Sequence, residues 1–377
     1  MRRSRLVEGR AKERKVITIE LVINGRFLTQ SVTGVQRYAR ELLGAFDALL
    51  DTRPELKVRL LTPPIAAGEV PALRNIRHEV VGRRRGHGWE QLDLPRHLGG
   101  ATLFCLTNTA PLRSLLGRGK VVVTVHDLSY RYFPEAYSRG FKLFYNFMVP
   151  IILRRARRVI TVSQSERRAM LEHYPFAAAR LVAIQNGGLP VGIEQQAPDP
   201  PERETVLYVG SLSKRKNFPG LLEVAIRMAR RRGARFVFVG GVAKGLNATI
   251  AAVPDDVKDH IRFLGQVNDW DRLLAAYRSA HCFLFPSFYE ASPLPPIEAM
   301  GCGCPVVAGD IPSLRERCDA AARYCDPGDV DAIVAAVEEV LDTPGLRERM
   351  RTAGYAQADR YSWTTCAEAT LDVLLKA

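Results

Sequence analysis

The sequence predicts an α/β protein of two domains, each a largely parallel sheet flanked by helices. Three observations carry the prediction. Short apolar runs alternate with helical patterns along most of the chain, the arrangement that builds strand–helix–strand units and parallel sheets. At 377 residues the chain exceeds what one hydrophobic core usually supports. The stretch from Asn186-Gly-Gly-Leu-Pro190 through Pro198-Asp-Pro-Pro201 to Glu204 is rich in Gly and Pro and lacks periodicity. After it the pattern starts over with a strand, a Gly turn and a helix. We therefore place a first domain over 16–190, a linker over 191–204, a second domain over 205–360 and a closing helical segment over 361–377.

The composition, 47% hydrophobic and 25% charged, is that of an ordinary soluble globular chain and excludes a disordered or fibrous one. A net charge of +14 calls for an anionic partner or surface. Nucleic acid, an anionic membrane and a phosphorylated substrate all qualify. The seven cysteines form no C-x-x-C pair and no zinc-type spacing with histidine, so they read as small hydrophobes in a reducing compartment. No apolar run reaches the roughly eighteen residues of a spanning helix. Met1–Lys15 lacks an apolar signal-peptide core. It carries Arg2, Arg3, Arg5, Arg10, Lys12, Arg14 and Lys15 against Glu8 and Glu13, a net +5, and is expected to be a disordered basic tail.

In the first domain Val16–Ile23 reads as a strand, followed by Thr33-Gly34-Val-Gln-Arg37-Tyr38 opening a helix to about Leu50. A strand, a loop with glycine and a helix start resemble a mononucleotide-binding half, where anions sit at the helix N-terminus. Further strands are predicted at Lys57–Thr62, Ile76–Val81, Leu103–Thr107, Lys120–Val125, Arg158–Val162 and Leu181–Ile184. The strand Val121–Val125 ends in His126-Asp127. Ligands in open α/β sheets gather outside such carboxyl ends. A histidine there can contact a reacting hydroxyl; the neighbouring carboxylate either orients the ring or contacts the ligand itself. Phe141–Leu153, apolar nearly all round, runs into Arg154-Arg-Ala-Arg-Arg158. A helix packed on the sheet is the expected reading, an interfacial membrane helix the alternative. Ser163-Gln-Ser-Glu166 reads as a capping box opening the next helix.

The second domain begins with the strand Thr205–Val209, then Gly210-Ser-Leu-Ser-Lys-Arg215-Lys216-Asn217 before a helix over Phe218–Arg232. A basic cluster between a Gly turn and a helix suits a diphosphate, with Arg offering a fork and Lys a point charge. Strands follow at Arg235–Gly240, Ala280–Phe285 and from Cys304. Between the last two lies Glu290-Ala-Ser-Pro293-Leu-Pro295-Pro296-Ile-Glu298. The prolines force loop over 290–295 and permit a helix only from Pro295 or Pro296. Glu290 therefore sits on a loop and Glu298 near a helix start, whose free N–H groups are expected to make an anion site. Two carboxylates flanking an anion site fit a ligand with hydroxyls on both sides of a phosphate, the shape of a nucleotide-sugar.

Glu290-x7-Glu298 followed by Ala299-Met-Gly-Cys-Gly-Cys-Pro-Val-Val307 resembles the retaining glycosyltransferases of family 4, and the resemblance extends over about residues 16–377. It implies two Rossmann-like domains facing across a cleft, the GT-B fold, with the C-terminal helix crossing back onto the first domain. It further implies that Glu290 approaches the donor sugar together with Ala291, Ser292 and Leu294, while Glu298 takes the ribose hydroxyls. Arg215, Lys216 and Gly34 would hold the donor diphosphate, and Val267 would contact the nucleobase. His126 would stand at the junction of donor and acceptor, with Asp127 and Arg37 on the acceptor side. Where the family usually has a Gly-Phe-Gly-like run, this chain has Ala291-Ser292-Pro293. No aspartate pattern points to a metal, and the resemblance implies no metal and no cofactor.

The sequence reading is thus a retaining glycosyltransferase that moves a sugar, with mannose from GDP-mannose the family habit, from a nucleoside-diphosphate-sugar to a carbohydrate or lipid-linked acceptor. It would work in the cytoplasm, peripheral to an anionic membrane face, without nucleic acid. Two rivals stand beside it. One is a nucleotide-sugar epimerase of the same architecture, which needs no acceptor. The other is a basic module binding nucleic acid or membrane, with strongly salt-dependent affinity.

Overall fold

The computed structural model describes residues 19–66, 68–190, 193, 203–243 and 245–377. The basic tail and nearly all of the 191–204 linker lie outside the described residues. The first sheet has seven strands in the order β3-β2-β1-β4-β5-β6-β7. They are β1 (Ile19–Asn24), β2 (Leu56–Thr62), β3 (Arg77–Val80), β4 (Thr102–Cys105), β5 (Val121–Thr124), β6 (Arg158–Thr161) and β7 (Leu181–Ala183). The second has six, in the order β10-β9-β8-β11-β12-β13. These are β8 (Thr205–Val209), β9 (Arg235–Val239), β10 (Ile261–Phe263), β11 (Cys282–Phe285), β12 (Val306–Gly309) and β13 (Ala322–Cys325). All pairings within both sheets are parallel.

Both sheets reverse their strand order at one point, between β1 and β4 and between β8 and β11. Such a reversal opens a crevice at the carboxyl ends of the strands. The loops after β1, β4 and β5 therefore face one side of the interdomain space, and those after β8 and β11 face it from the other. The strands next to these crevices, β4, β5, β11 and β12, are buried along their whole length. Val-, Leu- and Phe-rich runs without alternation are what strands covered on both faces require. The second-sheet strand β13 does not show in the sequence, because Ala322-Arg-Tyr-Cys325 is an edge strand, half exposed and without apolar alternation.

The last helix, Trp363–Leu375, belongs to the first domain's core: Trp363, Cys366, Leu371 and Leu374 pack with Leu42, Phe46 and Leu56. Its indole sits on the hinge, donating from Nε1 to the Gly188 carbonyl at 3.2 Å. A Cβ at Gly187 would come within 2.4 Å of the Trp363 ring, so this contact requires glycine there. All seven cysteines are free and buried. Among the described residues no helix is long and apolar enough to cross a membrane, and no group of His, Cys, Asp and Glu side chains could hold a metal ion.

Candidate active site

On the second-domain side, the loops after β8 and β11 are tied together. The Phe288 amide donates to the Arg215 carbonyl, and the Arg215 side chain donates to the Tyr289 carbonyl at 2.7 Å. Asn217, in the left-handed conformation at φ 56°, caps the helix Phe218–Arg232 by accepting from the Gly220 amide and donates to the Pro327 carbonyl. This fixes the two cations before it. Lys216 Nζ donates to Glu290 Oε1 at 2.5 Å, and Arg215 lies 3.4 Å from Oε2. Burial works to raise the Glu290 carboxyl, but Lys216 and Arg215 together outweigh it and hold the group below its usual range. The predicted diphosphate pair and the predicted sugar-binding carboxylate are one cluster. Tyr289, whose carbonyl Arg215 holds, donates from Oη to Glu166 of the first domain at 2.7 Å, so the cluster borders the cleft.

The helix carrying the second glutamate is Pro295–Gly301. The free amides expected at its start are absent. Pro295 and Pro296 carry none, and the Ile297 and Glu298 amides both donate to the Leu294 carbonyl. The cations on this side of the cleft are Arg215 and Lys216. The Leu294 side chain is buried in the first domain's core, and Ala291 packs against the same core. Ser292 turns to the hinge, its carbonyl accepting from Asn186 Nδ2 and its hydroxyl donating to Gln185 at 3.5 Å.

Glu298 is fully buried, deeper than the open helix start the sequence implies. Tyr277 donates to its Oε2 at 2.9 Å. Arg37 Nη2 stands 2.6 Å from Oε1 but off the line of a hydrogen bond, leaving that oxygen without an aligned donor. Arg37, expected on the acceptor side, here reaches Glu298. Its guanidinium crosses to the second domain and lies 4.2 Å over the Trp270 ring. At Gly34, three residues earlier, a Cβ would meet nothing within 4 Å, so the helix start Gly34–Leu49 is open on that side. Val267 packs partly buried against the second core, next to Gln266, whose amide reaches the Val32 carbonyl across the cleft at 3.4 Å.

The first domain contributes a pocket of about 750 Å³. Its polar lining includes Arg26, Gln30, Gln36, Asn108 and Asp127, and its wall is formed by Tyr137, Phe141, Phe144 and Tyr145. The Tyr137, Phe141 and Tyr145 rings stack in series, 4.9 and 4.1 Å apart. Arg26 is held at the floor by buried Glu90, 3.2 Å away, and donates to Thr109 at 2.8 Å. Glu90 and Thr109 come from two segments, Trp89–Pro95 and Asn108–Pro111, that the fold brings together here. His126 is buried beside the pocket. Its Nε2–H donates to the Leu106 carbonyl at 2.8 Å, which fixes the tautomer and leaves Nδ1 as acceptor. Burial pushes its pKa down, so the ring is neutral at pH 7. Asp127 does not hydrogen-bond the ring. Its Oδ1 accepts from the Ser129 amide and hydroxyl at 2.9 and 2.6 Å.

Three further residues of this region escape a sequence reading. Ser163 caps its helix as predicted, accepting from the Glu166 amide, but the Glu166 side chain does not close the box. It turns to the cleft, where Leu128 N and Tyr289 Oη donate to it at 3.1 and 2.7 Å. Arg317 is buried and donates to the carbonyls of Pro293, Asn186 and Gly187, tying the glutamate loop to the hinge. Glu316 of the second domain accepts from the Gln164 and Ser165 amides at 2.7 and 2.6 Å, capping a first-domain helix.

Two family models match the chain. One, described as Glycosyltransferase Family 4, covers residues 32–187, and the other, described as Glycosyl transferases group 1, covers 193–357. O-antigen chain mannosyltransferase B of Escherichia coli is 30% identical over 67% of this chain and 69% of its own length. O-antigen chain mannosyltransferase RfbU of Salmonella typhimurium is 25% identical over 69% and 71%. Among solved structures, sucrose-phosphate synthase from Thermosynechococcus elongatus superposes with a TM-score of 0.74 over 95% of this chain and 98% of that one, at 18% identity. Anabaena HepE in complex with UDP and glucose gives 0.70 over 95% and 100%, at 17% identity. Two parallel Rossmann-like sheets, the Arg215–Lys216–Glu290 cluster at their cleft and these matches lead to one conclusion: the chain belongs to the family 4 glycosyltransferases and is a retaining glycosyltransferase of GT-B fold.

Proposed function

We propose that this enzyme moves a hexose, mannose from GDP-mannose by the likeness to the O-antigen mannosyltransferases, onto a hydroxyl of a growing saccharide. The observation that carries the reading is the cluster of Lys216, Arg215 and Glu290 at the cleft, facing the polar and aromatic pocket of the first domain. The two cations receive the donor diphosphate and the charge that develops as the sugar–phosphate bond breaks, which is electrostatic catalysis. Gly34 leaves the opposing helix start open beside that diphosphate. Glu290, released from its cations by the incoming phosphates, turns to the hydroxyls of the transferred sugar, next to Ala291 and Ser292. Glu298 offers Oε1 to the ribose as Arg37 yields, and Val267 lies on the nucleobase side. His126 presents Nδ1 as acceptor for a sugar hydroxyl, and Asp127 faces the acceptor in the pocket.

An epimerase has no use for a second-substrate pocket of this size, and the two cations at the cleft, Arg215 and Lys216, are paired with Glu290 rather than displayed to a nucleic-acid backbone. Glu290→Gln is the test. The carboxylate competes with phosphate for two cations, so nucleoside-diphosphate affinity should hold or rise while kcat for transfer falls by roughly a hundredfold. Unchanged transfer in this variant overturns the reading.

A further inference from the structure

Glu290 is preceded by a residue that belongs to both domains. Tyr289 lies on the loop after β11, and its backbone stays with the second domain. Its carbonyl accepts from the Arg215 guanidinium at 2.7 Å, and the Phe288 amide before it donates to the Arg215 carbonyl at 3.0 Å. Its side chain goes the other way. The ring lies beside Tyr132 and Phe133 of the first domain, with centroids 5.3 and 5.9 Å apart, a separation at which aromatic rings attract. The phenol Oη donates to Glu166 Oε2 at 2.7 Å. Burial, then the Asp127 and Glu166 carboxylates, push the phenol pKa well above its usual value, so Oη keeps the proton it donates.

The seat is built from the stretch of chain that lines the first-domain pocket. Asp127, Ser129, Tyr130 and Tyr137 line the pocket, and Tyr132 and Phe133 lie between them in sequence. Glu166 holds both sides. Its Oε1 accepts from the Leu128 amide at 3.1 Å, between Asp127 and Ser129, while Oε2 takes Tyr289. The helix that carries it, Gln164–His173, is tied at each end. Glu316 of the second domain accepts from its first amides, and His173 Nε2 lies 3.2 Å from the Tyr132 hydroxyl. A fixed slot in the acceptor wall thus receives one side chain of the donor wall, next in sequence to the carboxylate that Lys216 and Arg215 hold. A residue that merely filled space between the domains would need no buried acceptor for a hydroxyl.

We propose that Tyr289 is a positioning residue for transfer: seated in the first domain, it sets how closely and at what angle Glu290 and the donor sugar meet the acceptor pocket. The proposal rests on reading Glu290 as the sugar-side carboxylate and the pocket as the acceptor site. In transfer the sugar–phosphate bond breaks, the acceptor oxygen bonds to the anomeric carbon, and the hydroxyl proton leaves with the nucleoside diphosphate. Water in place of the acceptor gives free hexose and the same nucleoside diphosphate. Reacting atoms must stand about 3–3.5 Å apart and aligned, and a misplacement of about 1 Å costs roughly a hundredfold in rate. Arg215 and Lys216 hold the diphosphate without the seat. Its loss therefore slows transfer, spares donor affinity and gives water a larger share of the sugar.

The experiment compares Tyr289→Phe, which keeps the ring and removes the hydroxyl, with Tyr289→Ala, which removes both. With GDP-mannose as donor and mannobiose as acceptor, kcat should fall about tenfold in the first and about a hundredfold in the second. The Kd for GDP by calorimetry and the acceptor KM should stay within about twofold of wild type, while the hydrolysed share of donor rises in the same order. Hydrogen exchange reads the seat without turnover. The Arg131 and Phe133 amides donate to the Leu128 and Ser129 carbonyls at 2.8 Å each. They should exchange about tenfold faster in Tyr289→Ala, with the amides of β5 unchanged. Wild-type kcat and hydrolysed share in both variants overturn the proposal, as does unchanged exchange at Arg131 and Phe133. A fall in GDP affinity that matches the fall in kcat overturns it by assigning Tyr289 to donor binding. A loss confined to Tyr289→Ala removes Glu166 from the seat and leaves the positioning role with the ring. Faster exchange in a protein whose wild type transfers nothing from GDP-mannose would count against the functional reading and leave the seat standing.

Discussion

The two walls of the cleft recognise by different means. The second-domain wall sets two cations, Lys216 and Arg215, 2.5 and 3.4 Å from the Glu290 carboxylate, which offsets one of their two charges. The first-domain wall satisfies most of its charge internally: Glu90 and Arg26 pair at the pocket floor, and the surface offered to a ligand is amide, hydroxyl and aromatic ring with the single Asp127 carboxylate. A diphosphate is a fixed, doubly charged feature that few cations can define. A saccharide is neutral and rich in hydroxyls, and needs many directional contacts with little charge. The division separates the energy of binding from its selectivity, and it can be broken or sharpened by substitution.

The largest effect should come from Lys216→Ala. Losing a charge-assisted contact with the donor costs about 2–3 kcal/mol, on the order of a hundredfold in donor Kd. Calorimetry with the nucleotide-sugar measures it, and the acceptor KM should stay put; an equal shift in both constants would dissolve the division. Glu298→Gln comes next. Nucleoside diphosphate and intact donor should both weaken by roughly tenfold, because the ribose is common to the two ligands. A loss confined to the intact donor would assign Glu298 to the sugar instead.

Phe141→Ala tests the other wall. Acceptor KM should rise roughly tenfold, with donor Kd unchanged in the same calorimetric measurement. Glu166, which both walls share, is read in stability and leaves ligand affinities unchanged. Burial, then the nearby Asp127 carboxylate, push its pKa from the ordinary 4.5 up to about 8. The folded protein therefore keeps a proton that the unfolded chain has lost. Its stabilising contribution is full below about pH 4.5 and declines as pH rises through about 8. Glu166→Gln mimics the protonated form, so urea unfolding at several pH values between these limits should show a flatter decline than wild type. Identical slopes would mean that Glu166 ionises normally.

The unequal walls also explain how much the sequence discloses. Arg215, Lys216 and Glu290 each stand on a short loop directly after a buried strand, so local pattern suffices to find them. The same holds for the interior strands of both sheets, and fails at the edge strand β13, where half the side chains face water. What escapes is made of pairs that only the fold brings together. Arg37 meets Glu298 and Trp270 across the domain boundary. Glu166 has the spacing of a capping box yet spends its side chain on Tyr289. The prolines that announce the Pro295 helix also strip it of the amides that a helix start ordinarily offers, so a rule sound in general gives the wrong donor set here. Arg317, between Glu316 and Cys318, looks like any surface arginine until its three carbonyl partners are seen.

The burial of every cysteine has a practical consequence. Burial pushes the thiols of Cys282, Cys302, Cys318 and Cys366 up to about 12, so they present almost no thiolate at neutral pH. The native protein should be nearly silent toward maleimide dyes. A single cysteine introduced on the outer surface of each domain would then be the only reactive site of its half. Paired fluorophores placed that way would follow the opening and closing of the two lobes, in solution and one molecule at a time, without first removing any native residue.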